Sequence, residues 1–455
     1  MESKIINNVV RFSEGIDNGT VKETELLKRL NLIKQNPNIN LGVYRGYLIS
    51  YHFYKFRKYP SADIPRDSYF NKIFLKCDAI FNGSVFTPIA IGKLFLEIIS
   101  ISDDQQKIRD MLLGGFYCCL WQFMNNPKNL EIATRYGLEI IKSAFSLDGF
   151  DYLNKIDLAG RNENVRIVNL AGSGKKEIKL LNISSLSAVI TAAISKKFNG
   201  NIAVEKIVSR ATSSITGSGE IFESLGVNVS IPRHKMAEIS LETKLGVFDI
   251  NNIVPKLNHI YDGRLYNVQV FAGLVGGAAI VNPIDSNLIN YGLTRGLNKL
   301  CLSILGKLYP DKNILILSGK NPEGKSIIDQ ISVVADTDIA QRVNGENSFY
   351  SITPEEFGFE FKTFRYIQTT KKPKENIVKF IELLTGHGKK NLKQAVAMEV
   401  ALNLYGLGVV NNLKDGTLLA LQTIDSGDGI NVLENLIIAS GGDINRFNSL
   451  LKKKF

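Results

Sequence analysis

The chain has 455 residues, 44% hydrophobic and 22% charged, with 55 Lys and Arg against 44 Asp and Glu, a formal net charge of +11. This is ordinary globular usage, which excludes a disordered or low-complexity protein, and at about 100–200 residues per domain the length accommodates two to four units and a large core. The longest apolar run, 270–281, has 12 residues and several glycines, short of the roughly 18 that a membrane helix needs. The first residues, MESKIINNVV, lack an apolar signal core, so export is not expected. Cys77, Cys118, Cys119 and Cys301 form no CxxC pair, and His52, His234, His259 and His387 are scattered. That usage suits a reducing, cytoplasmic compartment and excludes a disulfide framework or a zinc centre. The basic balance has two readings, attraction to phosphates or simple solubility. No long basic run decides between them before 452–454.

The first third reads as helical. Leucines fall at helical spacing over 22–35, and 44–59 (YRGYLISYHFYKFRKY) is dense in aromatic and basic residues. That second stretch reads as an aromatic face in a core or interface, with a nucleic-acid stacking platform as the alternative. Thr87-Pro88 opens a helix with a capping hydroxyl and a proline in the first turn. Ser102-Asp103-Asp104 opens another, running to about Asn125, and Asn126-Pro127 separates it from a third at 130–144.

From Val165 the rhythm becomes strand, glycine turn, helix. Strands are expected at 166–170, 204–208 and 314–317, and helices at 182–194 and 219–225. The tail returns to helix at 374–385, 393–407 and 416–425. Such alternation predicts an α/β domain with a largely parallel sheet, whose ligands bind at the carboxyl ends of the strands.

Three constellations lie where such a ligand would sit. The first is Gly172-Ser173-Gly174-Lys175-Lys176, followed by Asn182, Ser184 and Ser185 at a helix start. Glycines let backbone N–H groups approach an anion, a helix N-terminus favours one, and the lysines add charge. The other reading is a structural strand–helix turn with surface lysines. The second constellation is Lys206, Ser209 and Arg210 after a strand, then Ser214 and Gly217 in a hydroxyl- and glycine-rich loop. It reads either as a phosphate cradle or as a flexible polar loop. The third is Asp329, with Asp336 and Asp338 close in sequence. A diphosphate-bound Mg²⁺ takes only one or two protein carboxylates, but a lone Asp is also an ordinary helix cap.

Taken together, the order and spacing of these motifs resemble the anthranilate phosphoribosyltransferase family, within the nucleoside phosphorylase fold group. The family's GTGGD, NIST, KHGNR and SSKSGSADVLEALG motifs have counterparts in GSGKK (172–176), NISS (182–185), KIVSR (206–210) and SSITGSGEIFESLG (213–226). Farther on, GGAAIVNP (276–283), IIDQIS (327–332), ITPEEFGF (352–359), AMEVALNLY (397–405) and DGTLLALQTIDSG (415–427) are similar to GPLLNP, GLDEIS, TPEDFGL and the family's tail. The likeness runs from about 85 to 445.

The resemblance implies an α/β fold: a small, mostly helical domain plus a larger α/β domain with a mixed, largely parallel central sheet flanked by helices. It implies a helical domain at 85–160, partly discontinuous, and a catalytic-type domain at 161–455, behind an N-terminal, mostly helical extension at 1–84. It further implies phosphoribosyl pyrophosphate as donor, Mg²⁺ as cofactor and a homodimer. Gly172, Ser173, Gly174, Lys175, Lys176, Asn182, Ser184, Ser185, Ser209, Ser214 and Gly217 would bind substrate. Ser184 and Asp329 would hold the metal, and Lys206 and Arg210 would face the phosphates in catalysis.

Departures from the pattern fall on functional positions. The family's Gly-Asp pair is Lys175-Lys176, its His and Asn in KHGNR are Ile207 and Ser209, and its metal-motif Glu is Gln330. The arginine that grips the anthranilate carboxylate has no clear partner: Phe271 falls near it and Arg264 is the closest cation. The expected function is therefore transfer of phosphoribose to a small aromatic or heterocyclic acceptor other than anthranilate. Two alternatives stand beside it, a non-enzymatic nucleic-acid binder and a nucleoside phosphorylase.

Overall fold

A computed structural model describes residues 24, 28, 69–158, 164–174, 178–210, 217–261, 277–294, 297–360, 363–370 and 372–452. Contacts divide the chain into two units, 1–83 and 84–455. In the first unit, the described residues contain helix α1 (Tyr69–Phe81), which buries Ile73, Cys77 and Ile80. Of the helix predicted at 22–35 only Thr24 and Lys28 are described, both helical, and the aromatic stretch at 44–59 lies outside the described residues.

The second unit opens with three helices. Helix α2 (Pro88–Ile99) starts as its sequence dictates: Thr87 Oγ1 accepts from the Ala90 N–H at 3.3 Å and Pro88 occupies the first turn. The expected start at Ser102 becomes a 3-10 turn, Asp103–Gln105, in which Ser102 makes no side-chain cap. Helix α3 (Gln106–Met124) follows it. Asn126 then caps a second short turn through the Lys128 N–H at 3.1 Å, leading into α4 (Leu130–Ser146). Helices α2 and α4 pack closely enough that a Cβ on Gly92 would lie 2.9 Å from Glu139 Cβ, and the Ser143 hydroxyl donates to Gly92 O at 2.9 Å.

The α/β part holds an eight-stranded sheet of order β3-β2-β1-β4-β5-β7-β8, with β6 paired to β5. Its strands are β1 (Arg166–Gly172), β2 (Ile202–Val208), β3 (Leu245–Asp249), β4 (Leu288–Gly292), β5 (Asn313–Lys320), β6 (Ser326–Ile328), β7 (Thr337–Val343) and β8 (Glu346–Ile352). Strands β1 to β5 run parallel, and β6, β7 and β8 are antiparallel to their neighbours. The parallel strands β2, β3 and β4 are buried along their whole length, as expected of parallel strands covered on both faces. Helices α5 (Ile183–Ile194), α6 (Ser218–Ser224), α7 (Arg233–Thr243), α8 (Pro255–Tyr261) and α9 (Asn298–Leu308) connect the strands. The tail adds α10 (Pro373–Leu384), α11 (Lys390–Gly406), α12 (Leu413–Ser426), α13 (Gly429–Ala439) and α14 (Ile444–Lys452). Among the described residues no helix is long and apolar enough to cross a membrane.

Two features join the helical layer to the sheet. Helix α9 packs on α4, where Thr134 Oγ1 and Ser303 Oγ lie 2.9 Å apart. The connector after α4 is pinned to the segment before β4: the Ile156 N–H donates to Pro283 O at 2.7 Å and the Asp285 N–H to Ile156 O at 2.9 Å. Lys155 completes the clamp, donating to the carbonyls of Ile280 and Asn282. Burial lowers its ammonium pKa to about 7, partly offset by Asp285.

Candidate active site

The register of the parallel strands fixes where the site lies. Gly172 of β1 pairs with Gly292 of β4, and Leu170 with Lys206 of β2, so β1, β2 and β4 end side by side. The residues that follow them, Ser173, Ser209 and Leu293-Thr294, share the carboxyl edge of the sheet, the edge at which open α/β sheets bind ligands.

At this edge the glycine loop closes on the acid of the third constellation. Gly174 adopts a left-handed φ of +67°, and its N–H donates to Asp329 Oδ2 at 2.7 Å. A Cβ on Gly172 would lie 2.6 Å from the same oxygen, and one on Gly292 would lie 2.0 Å from Asp329 O. Both strand ends therefore need glycine so that the Asp329 residue can lie against them. Thr294 locks the loop from β4. Its N–H donates to Ser173 Oγ at 2.9 Å, its hydroxyl donates to Gly174 O at 2.6 Å, and the Ser173 N–H donates to Gly292 O at 2.9 Å.

This geometry corrects one expectation. The Ser173 and Gly174 amides, read from sequence as an anion cradle, are directed at a carbonyl and a carboxylate. The described part of the loop is a carboxylate holder. Lys175 and Lys176, the cations of that constellation, lie outside the described residues, as does Ser214.

Helix α5 begins nearby, as the helix following β1 in a parallel unit must. Its N-cap Asn182 makes no side-chain cap, and the predicted ligand Ser184 is half-buried in the first turn. Ser185 is fully buried, and its hydroxyl has no hydrogen-bond partner among the described residues. The segment leading into α5 is tied to a distant turn: the Leu181 N–H donates to Ile367 O at 3.0 Å and the Thr369 N–H to Lys179 O at 2.9 Å.

The second constellation is dispersed. Lys206 is 3% exposed, and its ammonium donates to the carbonyls of Leu170 at 3.3 Å and Ile207 at 3.1 Å. It sits within the sheet, two residues short of the end of β2. Arg210 is exposed and pairs with Glu223 of α6 at 3.2 Å. The Ser209 N–H donates to Ser218 Oγ at 3.3 Å, and the Gly217 N–H to Glu220 Oε2 at 2.7 Å. These groups therefore organise the β2–α6 connection. Asp338, close to Asp329 in sequence, lies on β7 and binds Lys320 at 2.6 Å and the Ser351 hydroxyl at 2.7 Å.

Two residues of this candidate site escaped the sequence reading. One is Thr294, described above. The other is Glu399 of α11, 6% exposed, whose Oε1 accepts from the Ile331 N–H at 2.7 Å, two residues beyond Asp329. An acid inside the apolar run AMEVAL was the available signal. Gln330, which stands where the metal motif has Glu, is buried, and its side-chain amide has no partner among the described residues.

The donor set can be tested against Mg²⁺. Among the described residues no group of three or more His, Cys, Asp or Glu could hold a metal ion. One buried carboxylate and one serine hydroxyl are hard oxygen donors, which suits a Mg²⁺ that arrives on a diphosphate and keeps few protein ligands. A carboxylate held at this edge would also repel a bare diphosphate, so a cation between them fits the charges.

Comparison with known proteins agrees with this layout. Residues 296–430 match the family model described as the glycosyl transferase family, a/b domain. The anthranilate phosphoribosyltransferase of Bacillus subtilis strain 168 is 25% identical over 272 residues, covering 59% of this chain and 76% of the relative. That of Glaesserella parasuis serovar 5 is 27% identical over 279 residues, with the same coverages. The Thermus thermophilus crystal structure of the same enzyme superposes with a TM-score of 0.62 at 20% identity, covering 80% of this chain and 99% of that one. The Saccharomyces cerevisiae enzyme in complex with PRPP and Mg gives 0.63 at 16% identity, covering 83% and 99%. These two structures speak to the fold. The fold is the α/β fold of those enzymes, and the stretch 296–430 carries the glycosyl transferase a/b-domain pattern. Within that fold, the chain is similar to the anthranilate phosphoribosyltransferases over about three quarters of their length.

Proposed function

We propose that the chain transfers phosphoribose from phosphoribosyl pyrophosphate to a small aromatic or heterocyclic acceptor other than anthranilate. The observation that carries the donor half is the closure of the 172–174 loop on Asp329 at the carboxyl edge. In this reading Mg²⁺, when bound, neutralises diphosphate charge, and Asp329 and Ser184 are the protein groups that would hold it. Phosphoribosyl transfer passes through an oxocarbenium-like state, so the protein's part is to position the acceptor and stabilise the leaving diphosphate. Lys206 supplies fixed positive charge beneath the edge, and Arg210 would exchange Glu223 for a phosphate oxygen. Lys175, Lys176, Asn182, Ser185, Ser209, Ser214 and Gly217 are proposed to line the donor pocket.

The acceptor half rests on substitution. At the positions of the family's His and Asn stand Ile207, which is 4% exposed, and Ser209, whose backbone binds α6. Ile207 offers no polar contact, and Ser209 offers a shorter hydroxyl in place of the asparagine amide that the resemblance implies for the acceptor. A cytoplasmic homodimer belongs to the same reading. Calorimetric titration with phosphoribosyl pyrophosphate, with and without Mg²⁺, tests the donor half; saturable micromolar binding with Mg²⁺ and weaker binding without it are expected. Adding anthranilate to that complex and following its fluorescence tests the acceptor half. Anthranilate should persist, and its consumption at rates ordinary for an enzyme would overturn the proposed specificity.

A further inference from the structure

Helix α11 packs on the helix that bears Ser184 and binds the loop that bears Asp329, although it carries none of the expected ligands. It packs on α5, whose first turn holds Ser184. The Asn403 amide, one turn from Glu399, donates to Thr191 Oγ1 of α5 at 3.3 Å and accepts from the Asn290 side chain of β4 at 2.7 Å. Glu399 reaches in the other direction, to the Ile331 N–H. That peptide belongs to the short loop bearing Asp329. Farther along the loop, the Ser332 N–H donates to Thr337 Oγ1 at 2.8 Å and the Ser332 hydroxyl to Lys320 O at 2.6 Å. Between those anchors and the glycine loop, Glu399 meets the chain at Ile331, which is 4% exposed. A buried amide left without its acceptor shifts or recruits another partner, and either change moves the neighbouring Asp329.

We infer that Glu399 is a positioning residue for the donor site: by holding the Ile331 peptide to α11, it sets the place of the Asp329 carboxylate relative to the first turn of α5. The inference rests on the proposed donor reading. It assigns Glu399 no contact with substrate or metal. Its effect passes through Asp329, as the groups behind a metal ligand tune that ligand, and removing such partners typically costs about 10–100-fold in metal affinity or activity.

The experiment is calorimetry of phosphoribosyl pyrophosphate binding, with and without Mg²⁺, on the full chain and on Glu399→Ala, Glu399→Gln and Glu399→Asp, with thermal unfolding of each. Glu399→Ala should weaken Mg²⁺-supported binding by about 10–100-fold and leave the Mg²⁺-free signal unchanged. Glu399→Gln keeps an acceptor oxygen at the same reach and should restore binding to within about threefold of the unaltered chain. A merely structural glutamate would lower the melting temperature and affect both titrations together. If Glu399→Ala does not fold, the Gln and Asp variants make the same comparison, because Asp withdraws the acceptor by one methylene. Binding by the Ala variant equal to that of the unaltered chain overturns the inference, and so does a Gln variant as impaired as Ala or, where Ala does not fold, as Asp. Failure of the unaltered chain to bind the ligand at all overturns the donor reading itself, and the positioning role with it.

Discussion

Gly172 and Gly292 sit opposite each other at the ends of β1 and β4, and both face Asp329, but with different tolerances. A methyl group on Gly172 meets Asp329 Oδ2 at 2.6 Å, the far end of a side chain that can rotate away. A methyl group on Gly292 meets Asp329 O at 2.0 Å, main chain that cannot. Gly172→Ala should therefore fold nearly normally and turn the carboxylate out of place, weakening Mg²⁺-supported donor binding by about tenfold or more. Gly292→Ala should cost stability, on the order of 1–3 kcal/mol from overpacking. Calorimetry and thermal unfolding on the pair separate the two effects; equal donor affinity for Gly172→Ala and the unaltered chain would show that Asp329 plays no part in donor binding. At this scale the sequence names the loop, the helix start and Asp329, because each carries its own signature. Thr294 carries none, and Glu399 only an acid set in an apolar run. Their roles come from contacts with Ser173 and Ile331, and chain segments that distant meet only in the folded sheet.

Strand β2 carries two consecutive buried titratable side chains, and Glu205 is the one that the proposed chemistry does not use. Its carboxyl is 0% exposed and faces the Ser240 side of α7 and Gly246 of β3, where a Cβ would lie 2.2 Å from Oε2. Neither oxygen has a hydrogen-bond partner of good geometry among the described residues. Burial raises its pKa from 4.5 to about 8, and the Ser240 hydroxyl, turned to Ala237 O at 2.8 Å, offsets this only in part. The sign follows from linkage. Below the unfolded value both states are protonated and nothing is lost. Between pH 4.5 and about 8 the unfolded chain releases the proton and the folded chain keeps it. Stability from this group therefore falls as pH rises, by up to about 1.4 kcal/mol per pH unit, and levels off above pH 8. Glu205→Gln removes that slope. The urea-unfolding free energy of the variant, minus that of the unaltered chain, should increase steadily from pH 5 to pH 8. A constant difference over that range would mean that Glu205 is already ionised in the fold.

The same elements show what is legible in the sequence. Apolar runs bounded by glycine or by a capping pair announce β1, β2, α2 and α5 to within a few residues. The β7–β8 hairpin is not announced. Strand β8 reads ENSFYSI, and six of its seven residues are exposed. An edge strand with no buried face has no period-two pattern to read, and pairing with β7 alone defines it. Helices α13 and α14 are likewise missed: the first is apolar on most of its surface and the second has one buried residue, Phe447.

At the scale of the molecule, the question is what a net charge of +11 does. Binding many nucleic-acid phosphates requires cations that are free to meet them along one face. Around the carboxyl edge three of the described cations have local duties. Lys206 is turned into the sheet, Arg210 pairs with Glu223, and Lys320 pairs with Asp338. Elsewhere Lys312 lies between Asp285 and Asp311, and Lys393 pairs with Asp425. A ligand of one diphosphate with Mg²⁺ needs few of these charges, whereas a duplex would have to displace several acids. Fluorescence anisotropy of a labelled DNA duplex, titrated from about 50 to 300 mM KCl beside phosphoribosyl pyrophosphate with Mg²⁺, should separate the two. DNA affinity should fall steeply with salt and reach no better than the non-specific range of about 10⁻⁴–10⁻⁶ M at physiological ionic strength. Donor affinity should decline with a much shallower slope. Nanomolar DNA binding that survives physiological salt would reverse the assignment, because the charge would then have to be organised as a surface for nucleic acid and the glycine–Asp329 contact would be scaffold.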